Sequence, residues 1–136
     1  MLLGLILVGC QPKEEMKLYY NGNDKTTGNN HGQHYEYAVV EIPYTPYATK
    51  DICLVPEDFY IAVEGENITG QSFVMEETVK ITVLGGENNY YETTLNFQDS
   101  RTIEKDKGGR VYVYFGCSLE GVDEIFYKNS KLPIYD

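Results

Sequence analysis

From Tyr35 onward the chain alternates apolar and polar side chains with a period of two, the mark of strands that bury one face. Tyr35, Tyr37 and Val39 share one parity, and Ala38, Val40 and Ile42 the other. A short apolar run at residues 52–55 ends at Pro56, and Phe59, Ile61 and Val63 then alternate with Tyr60 and Ala62 before a turn at residues 64–67. Val79, Ile81 and Val83 oppose Thr78, Lys80 and Thr82; a glycine- and asparagine-rich break follows, and then Tyr91, Thr93, Leu95 and Phe97 in the same manner. After a turn at residues 106–109, Val111, Val113, Phe115 and Cys117 fall on one side and Tyr112 and Tyr114 on the other, with Ile125 and Tyr127 in a last strand. No segment shows apolar residues at sustained helical spacing. The pattern predicts an all-β domain, an antiparallel β-sandwich of about seven strands over residues 34–136. Its expected core holds Val39 or Val40, with Ile61, Ile81, Leu95, Val113 and Phe115, and leaves Tyr112 and Tyr114 more exposed.

The chain begins differently. Residues 1–9 are apolar or glycine, and after Cys10 the character switches abruptly to Gln11-Pro12-Lys13-Glu14-Glu15. Ten residues are too few to cross a bilayer as a helix, which needs about 20, so the run reads as the apolar centre of a signal peptide. Leu7-Val8-Gly9-Cys10 resembles the lipobox of bacterial lipoprotein precursors. That resemblance implies cleavage before Cys10, lipid on its sulfur, and two or three acyl chains holding the protein at the outer face of the cell membrane. Because no Lys or Arg precedes Cys10, two alternatives stay open: a start further upstream, or an ordinary buried N-terminal strand. Residues 10–33 then read as the lipidated cysteine and a flexible polar tether, since the glycine- and asparagine-rich stretch at 21–32 has no apolar period with which to offset its ordering entropy.

Composition narrows the partners. The net charge is −10, and residues 1–9 carry no ionisable side chain, so the mature part holds all of it. Such a field repels phosphate backbones, which excludes nucleic acid as a partner. Three cysteines are an odd number for an exported chain. Assigning Cys10 to lipid leaves Cys53 and Cys117, either bridged, at a gain of about 4 kcal/mol in the chain-entropy picture, or buried as thiols.

The segments at 37–42, 52–61, 105–109, 111–115 and 125–127 together resemble an immunoglobulin-like (telokin-like) domain of unknown function found on lipoproteins of Gram-positive bacteria. The resemblance covers about residues 35–130 and rests on hydrophobic spacing: a tyrosine–valine strand, a run ending in a phenylalanine strand, a charged turn, an alternating strand ending in Phe115, and a closing Ile125-x-Tyr127. It implies an immunoglobulin-like topology for the sandwich and carries over no functional residue.

Candidate chemistry is sparse. His31 and His34 have no cysteine or carboxylate at ligand spacing, so no metal or cofactor is expected. Asn21-Gly22-Asn23-Asp24 lacks the later glutamate of a calcium loop. Glu14-Glu15, Glu76-Glu77 and Glu120 with Asp123-Glu124 are paired carboxylates that read as solvated faces, and Ser72, Ser100, Ser118 and Ser130 lie in no nucleophile context. Thirteen tyrosines without a tryptophan are the feature that points to contact. Tyr44 and Tyr47 in a proline-bracketed stretch, and Tyr112 and Tyr114 on the outer face of a strand, are candidates for a surface that meets protein or envelope polymer, against cross-strand packing within the sheets. Three function classes follow: a lipid-anchored module for binding or adhesion, a structural subunit of an envelope assembly, and a carboxylate-dependent hydrolase. The first is expected, and it is not an enzyme.

Overall fold

A computed structural model describes residues 13–27, 34–85 and 89–136. The protein is an all-β sandwich. Its strands are β1 (Tyr19–Thr27), β2 (His34–Ile42), β3 (Ile52–Leu54), β4 (Phe59–Val63), β5 (Glu66–Thr69), β6 (Ser72–Thr82), β7 (Asn89–Gln98), β8 (Arg101–Ile103), β9 (Gly109–Tyr114), β10 (Phe126–Tyr127) and β11 (Ser130–Lys131). One 3-10 turn, Pro56–Asp58, precedes β4, and among the described residues no helix is long and apolar enough to cross a membrane. Five strands form the larger sheet in the order β1-β2-β9-β6-β7, four the smaller in the order β11-β10-β4-β5, and β3 and β8 make a separate pair.

The parity of the central strands sets the core. Ala38, Val40 and Ile42 on β2 stand beside Val113, Val111 and Gly109 on β9. With Phe73 they cover one face of the large sheet and meet Phe59 and Ile61 of β4, joined by Leu54, Ile103, Phe115, Leu119, Ile125 and Leu132. Val111, Val113 and Phe115 are essentially inaccessible while Tyr112 and Tyr114 are half-buried, as the alternation predicts. Between β4 and β5 the chain turns on Glu64-Gly65 alone, both at positive φ (53° and 81°). That geometry matches the right-handed twist of a hairpin, so β5 begins at Glu66, inside the stretch 64–67 expected to be turn.

The tether expected over residues 10–33 is corrected by the structure in its described part, residues 13–27. Residues 19–27 are β1, paired along its length with β2, and the segment before it is tied down as well: the Glu14 amide donates to the Tyr47 carbonyl at 3.2 Å. Met16, Leu18 and Tyr20 are buried in the core, a period-two signal that the polar residues after Tyr20 obscure. The polar stretch is ordered through its main chain, because a backbone pairing with β2 does not depend on apolar side chains. A one-residue bulge at Asn21-Gly22 shifts the register between Tyr20↔Val40 and Asn23↔Ala38. The C-terminal segment closes the other side of β1: the Tyr20 amide donates to the Pro133 carbonyl at 2.8 Å, and the Tyr135 amide to the Tyr20 carbonyl at 2.9 Å.

The expected core is corrected at two positions. Ile81 and Leu95 are only half-buried and stand outside the core. β6 pairs with β9 only through Ser72 and Phe73, whereas its pairing with β7 runs on from Phe73↔Gln98 to Thr82↔Asn89. Leu95, opposite Glu76 and on the parity of Phe97, faces outward. Ile81 shares the parity of Phe73, but beyond Phe73 the two strands are a two-stranded ribbon that the small sheet does not cover. Cross-strand contacts decorate it: Thr78 and Thr93 hydroxyls lie 3.1 Å apart, and Asn96 Nδ2 donates to Glu77 Oε2 at 3.1 Å.

Candidate binding surface

The outer face of the large sheet carries the opposite parity, and there aromatic residues meet. Tyr37 lies opposite Tyr114 and Val39 opposite Tyr112 across β2 and β9, and Val74 lies opposite Phe97 across β6 and β7. Tyr35, Phe97 and Tyr114 form a mutual trio with ring centroids 5.5–5.7 Å apart, all edge-to-face. Tyr37 and Tyr112 pack at 4.9 Å, tilted by 59°. Edge-to-face and tilted contacts place the positive rim of one ring over the negative face of another. Val39, Tyr37 and Val74 are buried on this face without belonging to the inter-sheet core. Phe97, 43% exposed, is the open member.

Charge borders this cluster. Arg110 Nε meets Glu41 Oε1 at 2.5 Å, and Glu41 also accepts from Asn21 Nδ2 at 2.8 Å. The Tyr37 hydroxyl is pushed up to about 12, first by burial and then by the Asp24 and Glu76 carboxylates and Tyr112. At neutral pH it is therefore a donor and no base. The surface offers ring area and hydroxyls within an acidic surround.

The two expected tyrosine pairs do not join. Tyr112 and Tyr114 take part in the cluster, so cross-strand packing and an outward face are both present. Tyr44 and Tyr47 lie past the Ile42 end of β2, 58% and 42% exposed. Their loop is held by the Ala48 amide on the Thr45 carbonyl (3.2 Å) and the Thr45 hydroxyl on the Pro43 carbonyl (3.3 Å). The N-terminal segment runs beside it, flanked by open clefts of about 720 Å³, against Tyr19 and Pro43-Tyr44-Thr45, and about 370 Å³, against residues 49–52. Tyr35, Tyr37 and Phe97 were not among the expected contact residues. The repeated Tyr-x-Tyr at 35–37 and 112–114 is the signal that could have found the first two, but only if β2 and β9 are known to be neighbours.

Of the two alternatives left open for Cys53 and Cys117, the structure has two free thiols and no bridge between them. Cys53 sits exposed on β3, opposite Thr102 of β8 and close to Tyr127. Cys117 lies in the segment after β9 beside Glu36 of β2, half-buried, its thiol pushed up by burial and then by that carboxylate. The shared parity of Cys117 with Val111 and Val113 holds for its burial but brings it no partner.

Cys10 and His31 lie outside the described residues. Among those described, no three His, Cys, Asp or Glu side chains gather as metal ligands. Asn21 and Asn23 spend their amides on Glu41 and on the Val122 carbonyl (2.8 Å) at the bulge. Glu76 and Glu77 point to opposite faces of β6, since neighbours on a strand alternate, and Glu124 pairs with Lys131 at 3.5 Å. The chain matches no protein-family model, no curated protein and no solved structure.

Proposed function

We propose that this protein is a lipid-anchored, non-catalytic module of the bacterial cell envelope, held by acylated Cys10, that binds protein or envelope polymer. The observation that carries it is the aromatic outer face of the large sheet, with Phe97 open at its margin. Tyrosine-rich faces supply contact area and hydroxyls at low entropic cost. The divergent carboxylates and open clefts favour binding over hydrolysis, which needs groups of unlike environment converging on one site. The immunoglobulin-like (telokin-like) assignment belongs to this proposal, with the sandwich architecture as its support.

One observation favours the structural-subunit reading. β7 is an edge strand of ten residues with a single charged side chain, Glu92, and neither Pro nor Lys to guard it against pairing. In-cell photo-crosslinking separates the two readings. A photoreactive phenylalanine at Phe97 or Tyr112 is expected to give discrete covalent adducts, and one at Thr94 on the β7 ribbon is not. Adducts from Thr94 alone would favour strand addition in an assembly. Adducts from neither would remove both readings.

A further inference from the structure

The N-terminal end of the sandwich brings together features far apart in the sequence. Cys10 stands four residues before Glu14, whose amide is bound to the Tyr47 carbonyl. Four residues span at most about 14 Å even when extended. If Cys10 carries acyl chains, as proposed above, Glu14 lies within that distance of the lipid, and the Tyr47 carbonyl bonded to it about 3.2 Å further at most. The headgroup layer on each side of a bilayer is about 5–7 Å deep, so even a fully extended link lets the Glu14–Tyr47 contact stand only about 7–9 Å clear of it, far less than a long tether would.

The ribbon of β6 and β7 points to the same end. β2 and β6 both run antiparallel to β9 and therefore in the same sense, so the Thr82 end of β6 lies toward the Ile42 end of β2. Two steps of sheet twist turn β6 by about 45° from β2, which leaves that sense unchanged. From its last pairing with β9 at Phe73, β6 continues to Thr82, about 30 Å at strand rise, whereas β9 itself ends at Gly109 about 13 Å along. Past the ribbon's pairing comes Val83-Leu84, and Leu84 is 98% exposed.

Charge agrees with this placement. Residues 13–19 and 43–51 hold three cations (Lys13, Lys17, Lys50) and three anions (Glu14, Glu15, Asp51), so this end is neutral in a chain of net charge −10. It is thus the end least repelled by anionic headgroups. Tyrosine favours the boundary between headgroups and acyl chains, where its ring is apolar and its hydroxyl wet.

From this convergence we infer that the N-terminal end of the sandwich is a bilayer-contacting face: Tyr44 and Tyr47 rest at headgroup level and the Val83-Leu84 hairpin tip enters the lipid, fixing the orientation of the domain. The inference rests on acylation of Cys10. The absence of tryptophan makes it measurable. In a Cys53→Ser, Cys117→Ser background, the chain starting at Cys10 is coupled through that thiol to a maleimide phospholipid in phosphatidylcholine–phosphatidylglycerol vesicles. Single reporters Tyr44→Trp, Leu84→Trp and, at the far end, Glu120→Trp are compared on ordinary and acyl-brominated lipid. Emission from positions 44 and 84 should be at least halved by bromine and that from 120 unchanged. Equal quenching at 44 and 120 overturns the inference, and quenching at 44 without 84 overturns the hairpin's part in it. Coupling by chemistry keeps this separate from the anchor itself. Fractionation of Cys10→Ala cells tests acylation, and failure there would sink the anchor and the inference together, whereas a soluble Cys10→Ala protein with no quenching would leave the anchor standing alone.

Discussion

The Tyr20 hydroxyl donates to Asn23 Oδ1 at 2.5 Å across the β1 bulge, and Asn23 Nδ2 donates on to the Val122 carbonyl at 2.8 Å. This relay joins the first strand to the loop that follows β9, a hundred residues away, and gives the buried Tyr20 hydroxyl its shorter bond, beside a 3.3 Å approach to the same Val122 carbonyl. Asn23→Ala is expected to cost about 1–2 kcal/mol, and Tyr20→Phe about 1 kcal/mol. The double variant should cost less than the two together, because both remove one bond. Urea denaturation of the four proteins measures the coupling; strict additivity would show that the relay contributes nothing.

Leu18 decides whether the N-terminal segment is part of the fold. It is 7% exposed in the core cluster, and Leu18→Ala should lower stability by about 2–3 kcal/mol. A denaturation midpoint identical to wild type would return this segment to the status of a spacer.

Gly70 approaches the Pro56 carbonyl so closely that a Cβ there would overlap it, and it would also stand 2.9 Å from Val113 Cγ1. The neighbour in the way is backbone, which cannot swing aside. Gly70→Ala should destabilise by about 1–3 kcal/mol through overpacking, read as a fall in Tm. An unchanged Tm would mean that the β5–β6 connection relaxes freely.

Alkaline pH should unfold the protein through its buried phenols. Burial first, then Asp24, Glu76 and Tyr112, lifts Tyr37 from the ordinary value near 10 to about 12, and burial raises Tyr20 and Tyr127 as well. Below pH 10 these groups are neutral in both states. Between pH 10 and 12 the unfolded chain ionises first, so stability is lost as pH rises through that window. Tyr37→Phe should flatten the loss, and phenolate absorbance should show one tyrosine titrating last in the native protein. A wild-type and variant alkaline limb that superimpose would contradict the burial of that hydroxyl.

The free thiols differ in access. Cys53 is exposed, while Cys117 is half-buried with its thiolate disfavoured by burial and by Glu36. Native mature protein without reductant should be alkylated quickly at Cys53 and at least tenfold more slowly at Cys117, since the thiolate is the reactive form. Mass mapping that finds the two cysteines joined would refute the separation of these thiols in the fold.

Much of this fold is local information. The alternation along residues 35–42 and 111–115 determined both the strands and the face that each buries, because a side-chain period of two is fixed by the pleat whatever the neighbours are. The same pattern was present in Met16, Leu18 and Tyr20, masked by the polar run after them. What the alternation could not carry is which strands are neighbours. Ile81 has the parity of a core residue but lies on a ribbon that the second sheet does not reach, and Leu95 shares the outward parity of Phe97, which only the register of β6 with β7 decides. Tyr35, Tyr37, Tyr112, Tyr114 and Phe97 become one surface only through the order β2-β9-β6-β7, set by contacts between segments tens of residues apart. The separation of Cys53 from Cys117, and the meeting of Tyr47 with Glu14, are decided at that level too: sequence specifies what each strand presents, and only the closed sheet specifies what stands beside it.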